Sequence, residues 1–458
     1  MIPVEKNKEY IVNIENLSSE GSGIAKVDGF TIFVPNTVMG DVARILCIKV
    51  KSSYAYGKLI KIITPSIVRQ TPPCEHFAKC GGCQLMCLSY NEQLNFKRQT
   101  VTDALFRIGG IDQDVQIIGM HSPERYRNKM VFPFSKNGDW GFYRERSHEV
   151  IPLKDCLLGD SLNAKIMDTI SNFIKKYNIS VYDEFSHKGI VRRAFIRNSK
   201  DEIMVVLSVN AEKLPKEPEF INAVTSVSPK ITSVILNINK KRTNLVLGDK
   251  NRTLFGKDRL PARLLGLSYE ISPHSFFQVN SEGTENLYKT ALELADIKKS
   301  DVVFDIYCGI GTISLTAAKS AKSVIGVEIV PEAIADAEEN SKRNGIENTE
   351  YYCAAAEDIV PKLIKDGKIP DVVILDPPRK GSDEKTLSSI TAARPQKIVY
   401  VSCNPATLAR DLKFLSENGY KTEKVTAVDM FPYTTHVECC VLLCRNDLKN
   451  KDKGEFKL

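Results

Sequence analysis

Residues with ionisable or nucleophilic side chains recur in the C-terminal half of the chain, each directly after an apolar run. They are Asp305 in "VVFDIYCGIGT", Glu328 in "SVIGVE", Asp376 in "VVILDPPRKG" and Cys403 in "KIVYVSCNPATLARDL". Apolar strands that alternate with helices form a parallel sheet, and such sheets bind ligands at their carboxyl edge. The four side chains are therefore expected at one edge, around one ligand.

The loop after Asp305 has the features of a nucleoside site. Gly309 and Gly311 allow the backbone to approach a ligand, and Glu328, about twenty residues later, can accept hydrogen bonds from ribose hydroxyls. Ser314 replaces the third glycine of the dinucleotide fingerprint. That change and the acid before the loop favour a cationic or amino-acid-bearing nucleoside. S-adenosylmethionine meets both conditions, and an ordinary tight turn is the alternative.

Cys403 raises the question of a nucleophile, although a free cysteine is more often an inert core residue. At this edge its thiolate could add to an electrophilic carbon, with Asn404 and Pro405 holding it in one geometry. The segment "FPYTTHVECC" offers two proton acceptors, His436 and Glu438. On a strand, residues two positions apart point to the same side, so both acceptors are expected to face one way.

A second group of thiols lies in "PPCEHFAKCGGCQLMC", where Cys74, Cys80 and Cys83 have the spacing C-x5-C-x2-C. In a reducing compartment, clustered thiols indicate a soft-metal site, either zinc or an iron-sulfur cluster. Three close thiols and one distant thiol are more typical of a cubane cluster, with Cys156 as the fourth ligand ahead of Cys87. Buried thiols without a metal are the alternative.

Three regions must position these residues. Alternating runs split by glycine predict a small β-barrel over residues 1–65, whose lysines and tyrosines, among them Tyr54 and Tyr56, could contact RNA or form a solvated face. The stretch Thr64–Pro73 reads as a linker. A mixed α+β central region is predicted over 70–260, with the cysteines and RNA-contacting segments, and a doubly wound α/β domain over 261–446. Residues 447–458 are predicted to be a frayed tail.

Composition excludes several classes. The 458 residues are 43% hydrophobic and 26% charged, with 12 Cys and a formal net charge of +7. The chain is therefore globular, and its charge allows a polyanionic partner without requiring one. Glu5, Glu9 and Glu15 interrupt any signal peptide, and no apolar run approaches membrane-spanning length. We expect a cytoplasmic monomer that binds neither DNA nor membranes.

Five motifs in this order, "SPHSFFQVN", "DIYCGIGT", "DPPRKG", "SCNPATLARD" and "FPYTTHVE", resemble the RNA uracil carbon-5 methyltransferase family. The N-terminal barrel and the cysteines resemble its iron-sulfur branch, which carries a TRAM domain. The resemblance implies a class I methyltransferase fold and formation of 5-methyluridine in 23S ribosomal RNA. Thr312 departs from the pattern, since some relatives have Asn there, which puts one cofactor hydrogen bond in question.

The resemblance also implies roles for individual residues. The S-adenosylmethionine contacts would be Gln278, Tyr307, Glu328 and Asp376, the nucleophile Cys403, the general base Glu438, and the ligands of a 4Fe-4S cluster Cys74, Cys80, Cys83 and Cys156. The segment "RYRNK", Arg125 to Lys129, matches family residues near the active site, and a solvated basic stretch is its alternative reading.

Three other functions compete with this one. Methylation of the transfer RNA T-loop is the first. Iron-sulfur methylthiotransferases also combine a TRAM barrel, a cluster and S-adenosylmethionine, but they use C-x3-C-x2-C, and the first gap here is five residues. A non-catalytic RNA-binding protein for ribosome assembly is the third, and the presence of Cys403 and Glu438 argues against it.

Overall fold

Five short N-terminal strands close into a barrel in the computed structural model, which describes residues 2–447. The strands are Glu9–Leu17 (β1), Gly23–Val27 (β2), Phe30–Val34 (β3), Val42–Val50 (β4) and Tyr54–Thr64 (β5). Alternate side chains, such as Ile32, Val34, Ala43 and Ile45, point inward and are fully buried. The barrel predicted from the glycine-split alternating runs is thereby confirmed.

The stretch Thr64–Pro73 is tied to the barrel rather than free of it. Arg69 forms an ion pair with the buried Asp41, at 2.7 Å between Nη2 and Oδ2. It also donates to the carbonyl of Asn36. The connection therefore fixes how the next segment leaves the barrel.

The segment after the cysteines forms a helix and a short strand. Helix α1 spans Tyr90–Ala104, a π-helical turn covers Leu105–Gly109, and strand β6 spans Val115–Ile118. Gln93, Lys97 and Val101 recur at every fourth position of α1 and are all fully buried. One complete face of this helix is therefore covered by other elements.

The central region has a five-stranded sheet with the order β13-β12-β11-β10-β7. Its strands are Lys129–Pro133 (β7), Val191–Asn198 (β10), Ile203–Val209 (β11), Ile231–Ile238 (β12) and Lys250–Gly256 (β13), with a small hairpin of Gly141–Tyr143 (β8) and Val150–Pro152 (β9) beside it. Helices Ser161–Lys176 (α2) and Glu217–Thr225 (α3) pack on this sheet through Ile166, Ile170 and Phe220. The mixed α+β character of the region is as expected.

The C-terminal region alternates strands and helices. Its strands are Leu260–Leu264 (β14), Leu267–Ile271 (β15), Val302–Ile306 (β16), Ser323–Glu328 (β17), Thr349–Cys353 (β18), Val372–Leu375 (β19), Lys397–Ser402 (β20), Tyr420–Val428 (β21) and Glu438–Arg445 (β22). Its helices are Ser281–Ala295 (α4), Thr312–Ala318 (α5), Pro331–Arg343 (α6), Ala356–Lys365 (α7), Glu384–Ala393 (α8) and Pro405–Glu417 (α9).

Eight strands form the large sheet, in the order β18-β17-β16-β19-β20-β22-β21-β6. Alternate residues of its central strands enter two cores. Val303, Ile374 and Val401 face α4 and α5, while Phe304, Leu375 and Tyr400 face α7 to α9. Because both faces are covered by helices, the strands are apolar throughout. This is the doubly wound α/β domain predicted from the sequence.

The sheet differs from the expected parallel sheet at one end. Strands β16 to β20 run parallel to one another. Strand β22, however, pairs antiparallel with both β20 and β21. The expectation of a wholly parallel sheet was therefore wrong for this strand. A loop of nine residues, 429–437, joins β21 to β22 without a crossover helix, and such a connection makes neighbouring strands antiparallel.

The eighth strand comes from outside the expected domain. Strand β6 pairs in parallel with β21. Val101 of α1 and Leu105 of the π-helical turn pack on the sheet face that α7 to α9 cover. The segment 90–118, assigned to the central region from the sequence, thus completes the C-terminal sheet. Its apolar pattern did not show which of two sheets it would join.

Two further observations concern the chain ends and membranes. The expected tail, 447–458, lies outside the described residues except for Asp447. Within residues 2–447, no helix combines the length and apolarity that crossing a bilayer requires.

Candidate active site

The strand-end residues meet as the sequence predicted. Asp305 is the last residue but one of β16, and Glu328 is the last residue of β17. Asp376 directly follows β19, and Cys403 directly follows β20. These four strands are parallel neighbours in the sheet. Their carboxyl ends therefore share one edge.

The glycine loop leaves room for a ligand at this edge. Gly309 has φ +55°, and a Cβ placed there would meet no atom within 4 Å, so the backbone borders open space. Gly311 has φ +81°, and its Cβ would lie 2.8 Å from the Tyr351 hydroxyl. Glycine is thus required at the first position by conformation and at the second by packing as well.

Glu328 is fixed by the backbone around it. Its Oε1 accepts hydrogen bonds from the amides of Ile329 and Val330, at 2.8 and 3.1 Å, and its Oε2 accepts one from Gly309 at 3.2 Å. Oε1 thus has both lone pairs occupied, whereas Oε2 accepts only one hydrogen bond and retains a lone pair. The carboxylate is therefore held in place with Oε2 still able to accept a hydroxyl donor of a ligand.

Tyr307 occupies the left-handed region, with φ +71°. Its hydroxyl shares a hydrogen bond with Ser382 Oγ at 3.1 Å. Ser382 is in turn held by Asp411, whose carboxylate accepts from the Ser382 amide at 2.9 Å and from the Tyr400 hydroxyl at 2.6 Å. A non-glycine residue in this conformation persists only where its surroundings fix it, which is common in ligand sites.

Two carboxyls lie at this edge without a paired cation: the fully buried Asp305 and the half-buried Asp376, and of these Asp376 lines the cleft. Burial raises the pKa of Asp305 to about 6, and burial together with Asp305 raises the pKa of Asp376 to about 7. Asp305 Oδ2 accepts a hydrogen bond from Ser314, whereas its Oδ1 has no partner. Among the described residues no Lys or Arg is within ion-pair distance of either carboxyl. The cleft is thus suited to a positively charged ligand.

The cleft at this edge has a volume of about 1420 Å³ and is called the cofactor cavity below. It is lined by Glu328, Asp376 and Cys403 at three of the strand ends, and by the loop that begins at Tyr307 and the 276–278 segment. Gln278 lies in its wall, and Asn128 donates to the Gln278 carbonyl at 3.1 Å. Thr312, the departure from the family pattern, lies beside Tyr288, with 3.4 Å between the two hydroxyls.

The order Ser-Cys-Asn-Pro has a local explanation. Strand β20 ends at Ser402, and α9 begins at Pro405, whose fixed φ suits the first helical position. Asn404 is the N-cap, because its Oδ1 accepts a hydrogen bond from the Ala406 amide at 3.0 Å. Cys403 is consequently the single residue between the last residue of a buried strand and the N-cap of a helix, with little freedom to move. Its side chain lines the cofactor cavity.

The environment of Cys403 sets its ionisation. Burial is the main cause that raises the pKa of this thiol to about 11, and the nearby Glu438 and Asp376 raise it further, while Arg379 opposes them. In this state the group is a thiol at neutral pH. Formation of a thiolate therefore depends on a nearby proton acceptor or on a change in local charge.

The two proton acceptors lie differently from the expectation. Glu438 is the first residue of β22, but His436 precedes the strand, so the argument that a strand directs both to one side was wrong. Both nevertheless line the cofactor cavity. Burial and Asp376 raise the pKa of Glu438 well above its ordinary value, and burial and nearby cations, first Arg379 and then Lys97, lower that of His436.

A second cavity, of about 560 Å³, adjoins the first and is called the polar cavity below. Four parts of the chain form its walls: residues 19–22 and 35–36 of the barrel, residues 78–84 of the cysteine segment, the loop 144–146, and residues 403–405 with 435–437. Cys403, Arg379 and His436 line both cavities. The thiol is thus accessible from two sides.

The roles of Arg379 and of one face of α9 were missed by the sequence analysis. The Arg379 carbonyl accepts hydrogen bonds from Asn404 and Thr407, at 3.3 and 3.2 Å, and Arg410 donates to the Lys380 carbonyl at 3.0 Å. The positions 404, 407 and 410 recur every three residues on one helix face. That spacing in "NPATLAR" was visible, but only the structure shows that it holds the loop after Asp376.

The cysteine segment gathers near the polar cavity. Cys74, Cys83 and Cys156 pack in one cluster around Tyr126, and all of these thiols are free. The pKa of Cys83 is raised by burial first and then by Cys156, Cys80 and Cys74, so the four thiols are close enough to interact. In the described part of the chain, however, no three His, Cys, Asp or Glu side chains are grouped closely enough for a single metal ion.

The fold and the site together define a class I RNA methyltransferase with an N-terminal TRAM domain, and comparisons with known proteins give the family. The family model described as tRNA (uracil-5-)-methyltransferase matches residues 89–446, and the TRAM domain model matches residues 3–60. The chain belongs to the tRNA (uracil-5-)-methyltransferase family.

Similar proteins agree over nearly the whole length. An uncharacterized RNA methyltransferase of Clostridium tetani is 48% identical over 96% of this chain and 97% of its own. Another from Clostridium acetobutylicum is 47% identical over 98% of this chain and 99% of its own. Among solved structures, the Pyrococcus abyssi tRNA (uracil-54, C5)-methyltransferase in complex with S-adenosyl-L-homocysteine has a TM-score of 0.77 and 27% identity, over 95% of this chain and all of that chain.

Proposed function

We propose that the protein methylates carbon 5 of an unpaired uridine in RNA, with Cys403 as nucleophile and S-adenosylmethionine as methyl donor. The observation that carries this proposal is the position of Cys403 at the junction of two cavities. One has the features of a cofactor site, and the other is bordered by the barrel and the cysteine segment. A thiol that adds to a base beside a methyl donor needs this arrangement.

The cofactor cavity fits S-adenosylmethionine in charge and in donors. Glu328 would bind the ribose hydroxyls, while Tyr307 and Gln278 would contact the rest of the nucleoside and its amino-acid part. The unpaired Asp305 Oδ1 and the uncompensated Asp376 favour a cation. When bound, S-adenosylmethionine supplies an electrophilic methyl group on a positively charged sulfur.

Cys403 would carry out the activation that carbon 5 of uracil requires. Its thiolate adds to carbon 6 and forms a C–S bond, which places electron density on carbon 5 as an enolate. After carbon 5 has accepted the methyl group, Glu438 removes the proton from that carbon. The electron pair left behind restores the double bond and expels the Cys403 thiolate. The uridine gains a methyl group, and the enzyme returns to its starting state once the thiolate has regained its proton and Glu438 has released the carbon-5 proton to solvent.

The polar cavity and the barrel would hold the RNA around the target. Half-exposed Phe33, Tyr54 and Tyr56 form a cluster on the barrel. The Tyr54 ring packs edge to face on the other two rings, with centroids 5.5 and 5.6 Å apart, and the Phe33 and Tyr56 rings are tilted at 6.1 Å. Arg146, which lines the polar cavity, lies over the Tyr56 ring at 5.9 Å. Exposed aromatic rings beside basic side chains suit the stacking of single-stranded bases. A uridine in a duplex would have to leave its stack to reach Cys403.

A 5-fluorouridine experiment tests the Cys403 step. Fluorine at carbon 5 cannot leave as a proton, so RNA that contains 5-fluorouridine and S-adenosylmethionine should leave a denaturation-resistant adduct on Cys403. Mass spectrometry would locate the adduct on peptide and nucleotide. Cys403→Ser should abolish it, and Cys353→Ser, at an exposed thiol away from both cavities, should not. Methylation of ordinary RNA without any Cys403 adduct would exclude this mechanism.

Two RNA classes are candidate substrates. We infer large-subunit ribosomal RNA as the first, on the resemblance of the barrel and cysteines to the family branch that modifies it. Transfer RNA is the second, favoured by the family description and by the substrate named for the Pyrococcus protein. Unmodified transcripts of both, methylated side by side, would separate them by initial rate. Cytoplasmic location and the monomeric state stay predictions.

We further propose that Cys74, Cys80, Cys83 and Cys156 hold a 4Fe-4S cluster. The mutual proximity of these thiols supports the proposal. Each thiolate of a four-iron cluster binds a different iron, so its ligands lie farther apart than those of one zinc ion. Protein purified without oxygen should contain about four iron atoms and four sulfides per chain. Zinc, or neither metal, in such a sample would exclude the cluster.

A further inference from the structure

The loop 429–437 joins β21 to β22 and brings His436 and Glu438 to the site. It has no regular secondary structure, yet its backbone is held at almost every residue. Tyr433, in its middle, has φ +68°. A tyrosine keeps this conformation only where the surroundings impose it. The groups that impose this conformation on Tyr433 therefore also control the position of Glu438, the first residue of β22.

Lys97 of α1 holds the start of the loop. Its Nζ lies 2.6 Å from Asp429 Oδ1 and donates to the Phe431 carbonyl at 2.9 Å. Asp429 Oδ1 also accepts from the Phe431 amide at 3.0 Å. Both charged side chains have 0% exposure. One buried ion pair thus closes a turn between residues 429 and 431.

Gln93, one helical turn before Lys97, holds the middle of the loop. Its Oε1 accepts from the Tyr433 amide at 2.8 Å, and its Nε2 donates to the Leu88 carbonyl at 2.9 Å. Residues four positions apart lie on the same helix face. The buried polar face of α1 is therefore directed at this loop.

Other segments complete the anchoring. Asn280 donates to the Met430 carbonyl at 2.8 Å, and Tyr126 donates to the Pro432 carbonyl at 3.2 Å. The Tyr433 carbonyl accepts from the amides of Gln84 and Leu85, at 3.0 and 2.9 Å. Those two residues directly follow the C-x2-C thiols. The loop is therefore anchored by four parts of the chain: residues 84–85, α1, Tyr126 and Asn280.

A buried ion pair is weak evidence for stability, because apolar residues of similar size often serve as well or better. What an apolar pair cannot do is donate to the Phe431 carbonyl and fix the turn. The ion pair joins α1 to the first residue of the loop that leads to the proposed base. Glu438 follows Asp429 by nine residues in the chain. Positioning, rather than stability, is the function that the geometry explains.

We propose that Lys97, through Asp429, is a positioning residue for the proton-abstraction step. Lys97 lines neither cavity. It sets the position of the loop, and hence of Glu438, through Asp429 and the Phe431 carbonyl. The inference rests on the proposed function, since it concerns the same site. Loss of Lys97 should slow removal of the carbon-5 proton more than Cys403 addition or cofactor binding.

The test compares Lys97→Met, Asp429→Asn and the double variant. Each single change leaves one buried partner uncompensated and should lower the melting temperature. The double variant leaves no unpaired charge, and its melting temperature should return most of the way to that of the wild type. Arg98→Met, on the exposed side of the same helix, removes a charge from α1 without touching the loop and is the matched control. Its stability and turnover should equal those of the wild type.

In the double variant, whose stability is recovered, we expect kcat to fall about 10²-fold, since a shift of about 1 Å in a catalytic group costs this much. The KM for RNA and the Kd for S-adenosylmethionine should change less than about twofold, within the range of neutral surface changes. A covalent Cys403–RNA adduct that already carries the methyl group should accumulate on ordinary uridine RNA, because the step that expels the thiolate is slowed.

Two results would overturn the proposal. Full turnover in the stable double variant would make Lys97 a structural residue only. Parallel losses of cofactor affinity, adduct formation and turnover would indicate general disruption of the site. The wild type supplies the separate test of the proposed function: if its 5-fluorouridine RNA gave no Cys403 adduct, the mechanism itself would fail, independently of any Lys97 variant.

Discussion

The two cavities that meet at Cys403 are built in different ways. The cofactor cavity takes its polar groups from consecutive strand ends of one sheet, whereas the polar cavity takes its walls from the barrel, the cysteine segment, a central loop and the β22 approach. The first follows from local rules of a doubly wound fold. The second exists only when distant segments assemble. Under the proposed function, methyl donation takes place in the part that the fold guarantees, and RNA selection in the part that can vary.

The largest expected effect concerns Glu438, the proposed base, which lines the cofactor cavity and not the polar cavity. Glu438→Gln should lower turnover by about 10² to 10⁴-fold, the usual contribution of a general base. Addition by Cys403 should persist, because it precedes the loss of the proton, so a methylated adduct should accumulate on ordinary RNA. Denaturing gel mobility and mass spectrometry would measure it. Glu423→Gln, on β21, is the control. Equal loss of adduct and turnover would assign Glu438 another role.

The second prediction separates the cofactor cavity from the polar cavity by pH. The pKa of Asp376 is raised to about 7, so the group is neutral below that pH and anionic above it. Since a cation prefers the anion, the affinity for S-adenosylmethionine should rise about tenfold between pH 6 and 8. The uncharged sulfur of S-adenosylhomocysteine should gain less. Calorimetry on both ligands measures the ratio, and Asp376→Asn should remove its pH dependence. Equal pH profiles for the two ligands in the wild type would contradict this role.

How far the sequence predicts the molecule depends on the same distinction. Glu328, Asp376 and Cys403 could be placed at one edge because each ends an apolar strand, and the barrel could be read from its glycine-split runs. The antiparallel β22 and the transfer of β6 to the large sheet could not, because an apolar pattern shows burial but not strand partners. Lys97 and Asp429 are 332 residues apart in the chain, and no local signal connects them.

The third prediction addresses the barrel surface beside the polar cavity, where Arg146 of the cavity wall lies over the Tyr56 ring. Tyr56→Leu keeps an apolar side chain within the barrel surface but removes an aromatic ring from its exposed cluster. Single-stranded RNA should bind about fivefold to tenfold more weakly, toward the low end of base stacking energies. Cofactor affinity should be unchanged. Fluorescence anisotropy with a labelled loop oligonucleotide measures the first and calorimetry the second. Tyr10→Leu, also on the barrel, is the control, and equal effects of both changes would remove the special role of this cluster.

The smallest effect is expected at Arg379, which lines both cavities and so joins the two halves of the comparison. Its positive charge lowers the pKa of the Cys403 thiol, against burial and two acids. The side chain is exposed, and solvent screens much of its field, so Arg379→Gln should slow adduct formation only about threefold at neutral pH. The sign is fixed: without the cation the thiolate forms at higher pH, and the rate profile should move in the alkaline direction. Lys385→Gln removes a charge from α8, which also lies between β19 and β20 in the chain and where Lys385 pairs with Asp358. This change should leave the pH profile of adduct formation unaltered. A loss in Arg379→Gln that raising the pH does not reduce would mean that Arg379 contacts RNA directly, and the two cavities would then share a ligand contact as well as a nucleophile.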